Sequence, residues 1–137
     1  MQTNRLIAFK CSESSFCEAW LEFLTPYHHL TAKEKKVAAL IFNQYFRLSK
    51  DISDPSVLNE VMWTCSSRKD MRDAAGVSKE HFQMILAKLK KAKVLNEDLS
   101  INIRFLPNKK PRDSRFVLSI VFDWSTKTNP IDVSQQA

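Results

Sequence analysis

The sequence predicts a mostly helical α+β fold, in which a bundle of helices is followed by a C-terminal β-hairpin. Apolar residues recur at helical spacing between residues 16 and 92, and this spacing predicts the helices. Gly76 is the only glycine among the 137 residues and predicts a sharp turn between two helices, because glycine tolerates positive φ. From Ile101 onward, apolar and polar residues alternate, and a period of two predicts strands.

At its N-terminus the chain is expected to form a short strand over residues 5–10 and then a helix that runs to about Leu24. Ser14 or Ser15 is the expected N-cap of this helix. Pro26 is expected to end it, because proline lacks the amide that a helix interior needs. The apolar side of this helix carries Phe16, Trp20, Phe23 and Leu24.

Capping signals mark the starts of the next two helices. Thr31 and Glu34 have the spacing of a capping box, and the helix that they open is expected to reach about Leu48. Asp54 followed by Pro55 predicts a second start, since aspartate suits the N-cap and proline suits the first helical position.

The segment from Ser67 to Val94 is predicted to form two helices joined by a tight turn. Ser67 is the expected cap of a short helix that Gly76 closes, and Ser78 is the expected cap of a helix that reaches about Ala92. The residues expected to face inward are Met71 and Ala75 on the first helix and Phe82, Ile85, Leu86 and Leu89 on the second.

A hairpin over residues 100–124 is predicted to follow. Residues 101–105 alternate between apolar and polar, residues 107–114 have the composition of a loop, and residues 116–124 alternate again. Residues 125–137 have few apolar side chains to bury and are expected to form a loose tail.

The excess positive charge is concentrated in one part of the chain. Ten basic and four acidic residues lie between Ser78 and Phe116, and this segment accounts for the whole net charge of +6. A localised excess of this kind is typical of proteins that bind a polyanion. The alternative is a solvated lysine face, which is common on helices.

Composition argues against several other classes of protein. No apolar run approaches the roughly 18 residues that span a membrane, and the N-terminus has no long apolar stretch of a signal peptide. Three cysteines, an odd number, favour a reducing compartment. We therefore expect a protein without a membrane partner, located in the cytoplasm, or in the host cytoplasm or virion if the source is viral.

Catalytic and metal-binding patterns are also missing from the sequence. A single glycine leaves no phosphate-binding loop, and no nucleophile elbow or His-Glu-x-x-His motif occurs. Cys11, Cys17, His28 and His29 lack the Cys-x-x-Cys spacing of a zinc site, and the cysteines are better interpreted as small buried apolar residues. The sequence therefore predicts a protein that is not an enzyme and that has no cofactor and no metal.

Over roughly residues 31–124 the chain resembles the winged helix-turn-helix superfamily of DNA-binding proteins. The resemblance implies three parts: an N-terminal extension at 1–30, a winged helix domain at 31–124 and a flexible tail at 125–137. The residues that match the turn pattern of the family are Met71, Ala75, Gly76, Val77, Phe82 and Ile85.

The resemblance implies where double-stranded DNA would bind. The helix at 78–92 would be the recognition helix in a major groove, and the hairpin at 100–124 would be a basic wing on the backbone. Its implied DNA-binding residues are Ser78, Lys79, Gln83, Lys88 and Lys91 on the helix and Arg104, Lys109, Lys110, Arg112 and Arg115 on the wing.

Two functions are compatible with this pattern. The first is a DNA-binding transcriptional regulator or replication factor, which would form a homodimer or bind a protein partner through the helix that carries Trp20. The second is an interaction protein within a larger assembly, such as a phage particle, a small terminase or a polymerase complex, with little or no sequence-specific DNA binding.

Overall fold

Six helices form the regular structure of residues 8–109 and 114–125, which are the residues that the computed structural model describes. They are α1 (Phe16–Phe23), α2 (Thr25–His28), α3 (Ala32–Ser49), α4 (Pro55–Met62), α5 (Cys65–Ala75) and α6 (Lys79–Lys91). No helix in these ranges is both long enough and apolar enough to cross a membrane.

Helix α3 is the centre of the domain, and α1, α4, α5 and α6 all pack against it. Ile41 and Phe42 of α3 are fully buried, together with Leu21 from α1 and Phe82 from α6. Burying an apolar side chain of this size stabilises a fold by about 1.5–3 kcal/mol. The α1 and α6 contacts with α3 therefore hold the first and last helices in one core.

The predicted starts of α3 and α4 are confirmed. The Thr31 hydroxyl accepts the Glu34 amide at 3.3 Å, while the Glu34 carboxylate accepts the Thr31 amide at 3.0 Å. The Asp54 carboxylate accepts the Ser56 amide at 2.9 Å, and Pro55 occupies the first position of α4. These signals act within one turn, so they need no tertiary context.

The N-terminal expectations need correction. Residues 8–10 form no strand, and the remainder of that predicted strand, residues 5–7, lies outside the described residues. Ser15 is the N-cap residue of α1, as one of the two predicted positions, but its hydroxyl accepts no amide of the helix and bonds with Ser12 instead. The predicted end of α1 is correct, since α1 ends at Phe23 with Leu24 as its C-cap, and Pro26 lies in the first turn of α2, where its missing amide costs no hydrogen bond.

The predicted cap of α5 was also wrong. Thr64 is the N-cap, and its hydroxyl accepts the Ser67 amide at 3.3 Å. Ser67 lies inside the first turn and is buried, where its own hydroxyl accepts a 3.1 Å hydrogen bond from the Gln44 side chain. Threonine and serine both suit an N-cap, so the sequence alone does not decide between Thr64 and Ser67. The hydrogen bond with Gln44 of α3 accompanies the position of Ser67 inside α5.

The turn between α5 and α6 is confirmed. Gly76 has φ of +68°, and the Val77 amide donates to the Arg72 carbonyl at 3.1 Å, which closes the end of α5. Ser78 then caps α6 by accepting the His81 amide at 3.1 Å. Residues Met71, Ala75, Phe82, Ile85, Leu86 and Leu89 are buried, as predicted.

The predicted β-hairpin wing is wrong, and with it the α+β winged helix-turn-helix fold class. Over residues 8–109 and 114–125, extended pairing is limited to one isolated antiparallel bridge between Leu95 and Ile101. The side-chain oxygen of Asn102 accepts a hydrogen bond from the Arg104 amide at 3.1 Å. The backbone carbonyl of Asn102 accepts another from the Phe105 amide at 2.9 Å. These bonds bend the chain into a turn directly after the bridge, so alternation alone does not produce a strand here.

Candidate nucleic-acid interface

Helix α6 lies on the surface of the domain with one side buried and the other exposed. Phe82, Ile85, Leu86 and Leu89 turn toward the core, since each is at most 3% exposed. The opposite side carries the five residues of α6 and its cap that the sequence predicted as DNA contacts. Ser78, Lys79, Gln83, Lys88 and Lys91 are all exposed.

Apart from His81, the exposed residues of α6 form two neighbouring rows. Lys79, Gln83, Ala87 and Lys91 follow one another at intervals of four, and Glu80, Met84 and Lys88 form the adjacent row. The lysines lie toward the two ends, while uncharged Gln83, Met84 and Ala87 occupy the middle. The 13 residues of α6 give the helix a length of about 20 Å.

The lysines of α6 are available for an external ligand. Three ion pairs join described residues, and none of them includes a residue of α6. On α5, by contrast, Lys69 pairs with Asp73 at 3.1 Å. Arg68 stacks over the Trp63 ring at 5.4 Å and donates to the Trp63 carbonyl, so this cation is used within the fold.

One predicted wing residue, Lys109, is held inside the domain. Its ammonium lies 3.5 Å from the Glu13 carboxylate, and the side chain is only 16% exposed. The same ammonium stands 5.7 Å from the ring centre of Phe16 and 5.5 Å from that of Phe46. Lys109 therefore joins the segment before α1 to α3, a role that no local sequence signal indicated.

The structure does not show the other predicted wing residues on one shared surface. Arg104 is exposed in the turn after Asn102, and Arg115 is exposed in a segment without helix or strand. Lys110 and Arg112 lie outside the described residues. Among the described residues, the structure thus brings the α6 residues together and places neither Arg104 nor Arg115 on a hairpin.

Of the residues considered as metal ligands, Cys17 and His28 are buried in the domain, while Cys11 and His29 are exposed. His28 is buried, with Nε2 2.7 Å from the Leu21 carbonyl and Nδ1 accepting the Leu30 amide at 3.0 Å. Burial lowers the pKa of His28, and burial raises the pKa of the Cys17 thiol to about 11. No group of three metal-ligating side chains occurs among the described residues.

Trp20, the proposed centre of a partner contact, is half-buried against the C-terminal part of the chain. Its indole donates to the Phe105 carbonyl at 2.7 Å, and its ring centre lies 5.3 Å from that of Phe116. Phe23 and Tyr27 are the exposed aromatic residues nearby in the sequence. A partner contact through α1 stays a prediction, and Phe23 is the exposed aromatic residue that α1 itself would contribute to it.

No family model, curated protein or solved structure matches the chain. The family resemblance therefore stays a prediction.

Proposed function

We propose that this chain is a non-enzymatic protein that binds duplex DNA through the exposed side of α6, as a transcriptional regulator or replication factor. One observation carries the proposal. The side of α6 that faces away from the core has lysines at both ends, uncharged residues between them and no intramolecular ion pair within the described part of the chain.

Charge supports this assignment. Helix α6 contains Lys79, Lys88, Lys90 and Lys91 against the single acidic residue Glu80. Each lysine that reaches a phosphate releases a condensed counterion, and this release supplies most of non-specific DNA affinity. Lysines at the two ends of a helix about 20 Å long are suitably spaced to contact phosphates on both sides of a groove.

Shape and side-chain chemistry support it further. The major groove is about 12 Å wide and admits one α-helix. Only the capped N-terminal half of such a helix usually reaches base edges, and this half carries Lys79 and Gln83. Glutamine pairs with the edge of adenine through two hydrogen bonds, while lysine donates to guanine acceptors.

The salt dependence of binding tests the proposal. A triple variant with Lys79→Gln, Lys88→Gln and Lys91→Gln is compared with the wild type on one random-sequence duplex over a salt series. We expect the slope of log K against log salt to fall in magnitude by about 2 to 3, because each lost phosphate contact contributes roughly 0.9.

A control variant carries the same change in charge elsewhere. Lys10→Gln, Lys36→Gln and Lys50→Gln remove three exposed lysines outside α6. We expect this control to keep the wild-type slope. The proposal fails if the control flattens the slope as much as the α6 variant does, or if the wild type does not bind duplex DNA.

Gln83→Ala separates sequence-specific binding from an assembly role. After selection from a random oligonucleotide pool, we expect the wild type to prefer adenine at one position and Gln83→Ala to lose that preference by about tenfold. Salt-dependent binding without any preference in the wild type would instead favour the interaction protein of a larger assembly.

A further inference from the structure

The last described part of the chain is an exposed apolar segment. Residues 115–123, the terminal segment, form neither helix nor strand, and within the described ranges their backbone groups form no hydrogen bond with other backbone groups. Ile120 is 64% exposed, Val121 72% and Phe122 82%. β-branched and aromatic residues favour strands, and a contiguous apolar patch of this kind marks an interaction site.

The order of residues in the terminal segment is nearly symmetric about Ser119. Read outward from Ser119 in both directions, the sequence RFVLSIVFD places residues of the same chemical type at equal distances, and its two ends have opposite charge. The matching positions are Leu118 and Ile120, Val117 and Val121, Phe116 and Phe122, and Arg115 and Asp123.

This symmetry has a specific consequence for strand pairing. When two identical strands pair in antiparallel orientation about an axis at Ser119, each residue lies opposite its matching position in the other copy. The opposed pairs are then aliphatic with aliphatic, aromatic with aromatic and cation with anion, which are the combinations that stabilise antiparallel strands. A strand of another protein would not require the segment to match itself.

We infer that two copies of this chain associate through an antiparallel two-stranded ribbon centred on Ser119. The interface is isologous, because the same segment of each copy forms both sides of it. This inference goes beyond the proposed DNA binding and does not depend on it.

The aromatic cluster of the domain supports the ribbon. In a strand, Phe116, Leu118, Ile120 and Phe122 point to one face. The Phe116 ring is already fixed to the domain, with its centre 5.3 Å from the ring centres of Phe16 and Trp20. Phe122 of the second copy would lie opposite Phe116 and extend this cluster. Such support matters because an isolated two-stranded ribbon is only marginally stable.

The ends of the ribbon supply charge complementarity. Asp123 Oδ1 accepts the Ser125 amide at 2.9 Å, and the hydrogen bonds from Ser125 lower the pKa of Asp123, so its carboxylate is charged at neutral pH. Arg115 is exposed and carries the opposite charge. Two Arg115–Asp123 pairs, one at each end, would fix the register of the ribbon.

A charge exchange tests both the partner and the register. The full chain is studied by sedimentation velocity as the wild type, Arg115→Asp and Asp123→Arg over a range of concentrations. We expect a wild-type dimer and about tenfold weaker association of each variant, because both end pairs then carry like charges. An equimolar mixture of the two variants pairs aspartate with arginine at both ends, so it should regain the wild-type affinity.

Two results would overturn the inference. The first is a wild-type chain that stays monomeric, as expected if the segment folds back on its own domain or pairs only with another protein. The second is a mixture of Arg115→Asp and Asp123→Arg that associates no better than either variant alone.

Disulfide formation provides a second measurement that does not depend on charge. In a background with Cys11→Ser and Cys65→Ser, which removes the exposed thiols, Ser119→Cys places two cysteines opposite each other at the axis. Their Cα atoms would be about 4.5–5.5 Å apart, within disulfide range. We expect oxidation to link this variant into covalent dimers.

Val117→Cys is the matched control in the same background. In the ribbon, position 117 of each copy lies opposite position 121 of the other. The two introduced cysteines would therefore be about 14 Å apart and too distant to form a disulfide. Equal cross-linking of the two variants, or none of Ser119→Cys, would contradict a ribbon centred on Ser119.

Discussion

The indole nitrogen of Trp20 donates a 2.7 Å hydrogen bond to the carbonyl oxygen of Phe105, which joins α1 to the chain that follows α6. The rings of Trp20 and Phe116 also meet edge to face, with centres 5.3 Å apart. Tryptophan thus contributes both an apolar surface and a donor at this contact. Because the contact closes the domain between its first helix and its last segment, its loss should affect the whole fold.

Trp20→Phe should lower the free energy of unfolding by about 1–3 kcal/mol, because it leaves the Phe105 carbonyl without its donor and removes part of the apolar contact. Chemical denaturation followed by circular dichroism measures the change. Tyr27→Phe is the control, since Tyr27 is exposed and should change stability by less than about 0.5 kcal/mol. Equal midpoints for Trp20→Phe and the wild type would contradict this account of the contact.

Gly76→Ala should destabilise the protein through the backbone alone. A Cβ at this position would meet no atom within 4 Å, but Gly76 has φ of +68°, which costs an L-residue about 1–2 kcal/mol. Gly76→Asn should cost less, because asparagine tolerates this conformation better. Thermal denaturation of both variants is the measurement, and an unchanged midpoint for Gly76→Ala would show that the turn does not require a glycine.

The stability of the protein should fall as the pH drops below about 6.5, the ordinary pKa of histidine. Burial lowers the pKa of His28 in the folded state, so between its folded and unfolded pKa values the unfolded chain binds more protons. The resulting slope is at most about 1.4 kcal/mol per pH unit, and it ends below the folded pKa.

Urea denaturation between pH 7.5 and 5.5 measures this dependence. His28→Asn removes the titrating group, so its slope in this window should be shallower than that of the wild type, whatever its overall stability. His81→Asn serves as the control, because it replaces an exposed histidine on α6 that is not among the groups acting on His28, and this replacement should preserve the slope. Parallel curves for the wild type and His28→Asn would mean that another group causes the acid sensitivity.

Removing the charge of Lys109 should affect the stability of the protein, whereas removing the charge of Lys88 should affect the salt dependence of DNA binding. Lys109→Met should lower stability by about 1 kcal/mol, because the ammonium loses Glu13 and two aromatic rings, while the salt dependence of DNA binding stays unchanged. Lys88→Gln should preserve stability and flatten the salt dependence. Flattening by Lys109→Met would show that Lys109 reaches a phosphate, against its placement in the domain.

The features that were predicted from sequence depend on residues within one turn of each other. Thr31 and Asp54 cap helices through amides two or three residues away, and Gly76 needs only its own φ. The exposed side of α6 was also predictable, because its apolar residues define the buried side. These interactions are nearly the same in any fold that contains the segment.

The features that were missed depend on distant residues. Alternation over 101–105 indicated a strand, but a strand also needs a partner, and the bonds of Asn102 turn the chain away after a single bridge. Lys109 belongs to a basic run in the sequence, yet its position beside Glu13 results from the packing of the domain. Neither outcome can be predicted from local spacing alone.

The most direct test of the central claim is an NMR titration of the isotopically labelled chain with a short DNA duplex. We expect the largest shifts of backbone amides at Ser78, Lys79 and Gln83, with smaller shifts toward Lys88 and Lys91. Shifts confined to α1 or α4, or an unchanged spectrum at saturating duplex, would contradict the assignment of α6 as the DNA-binding surface.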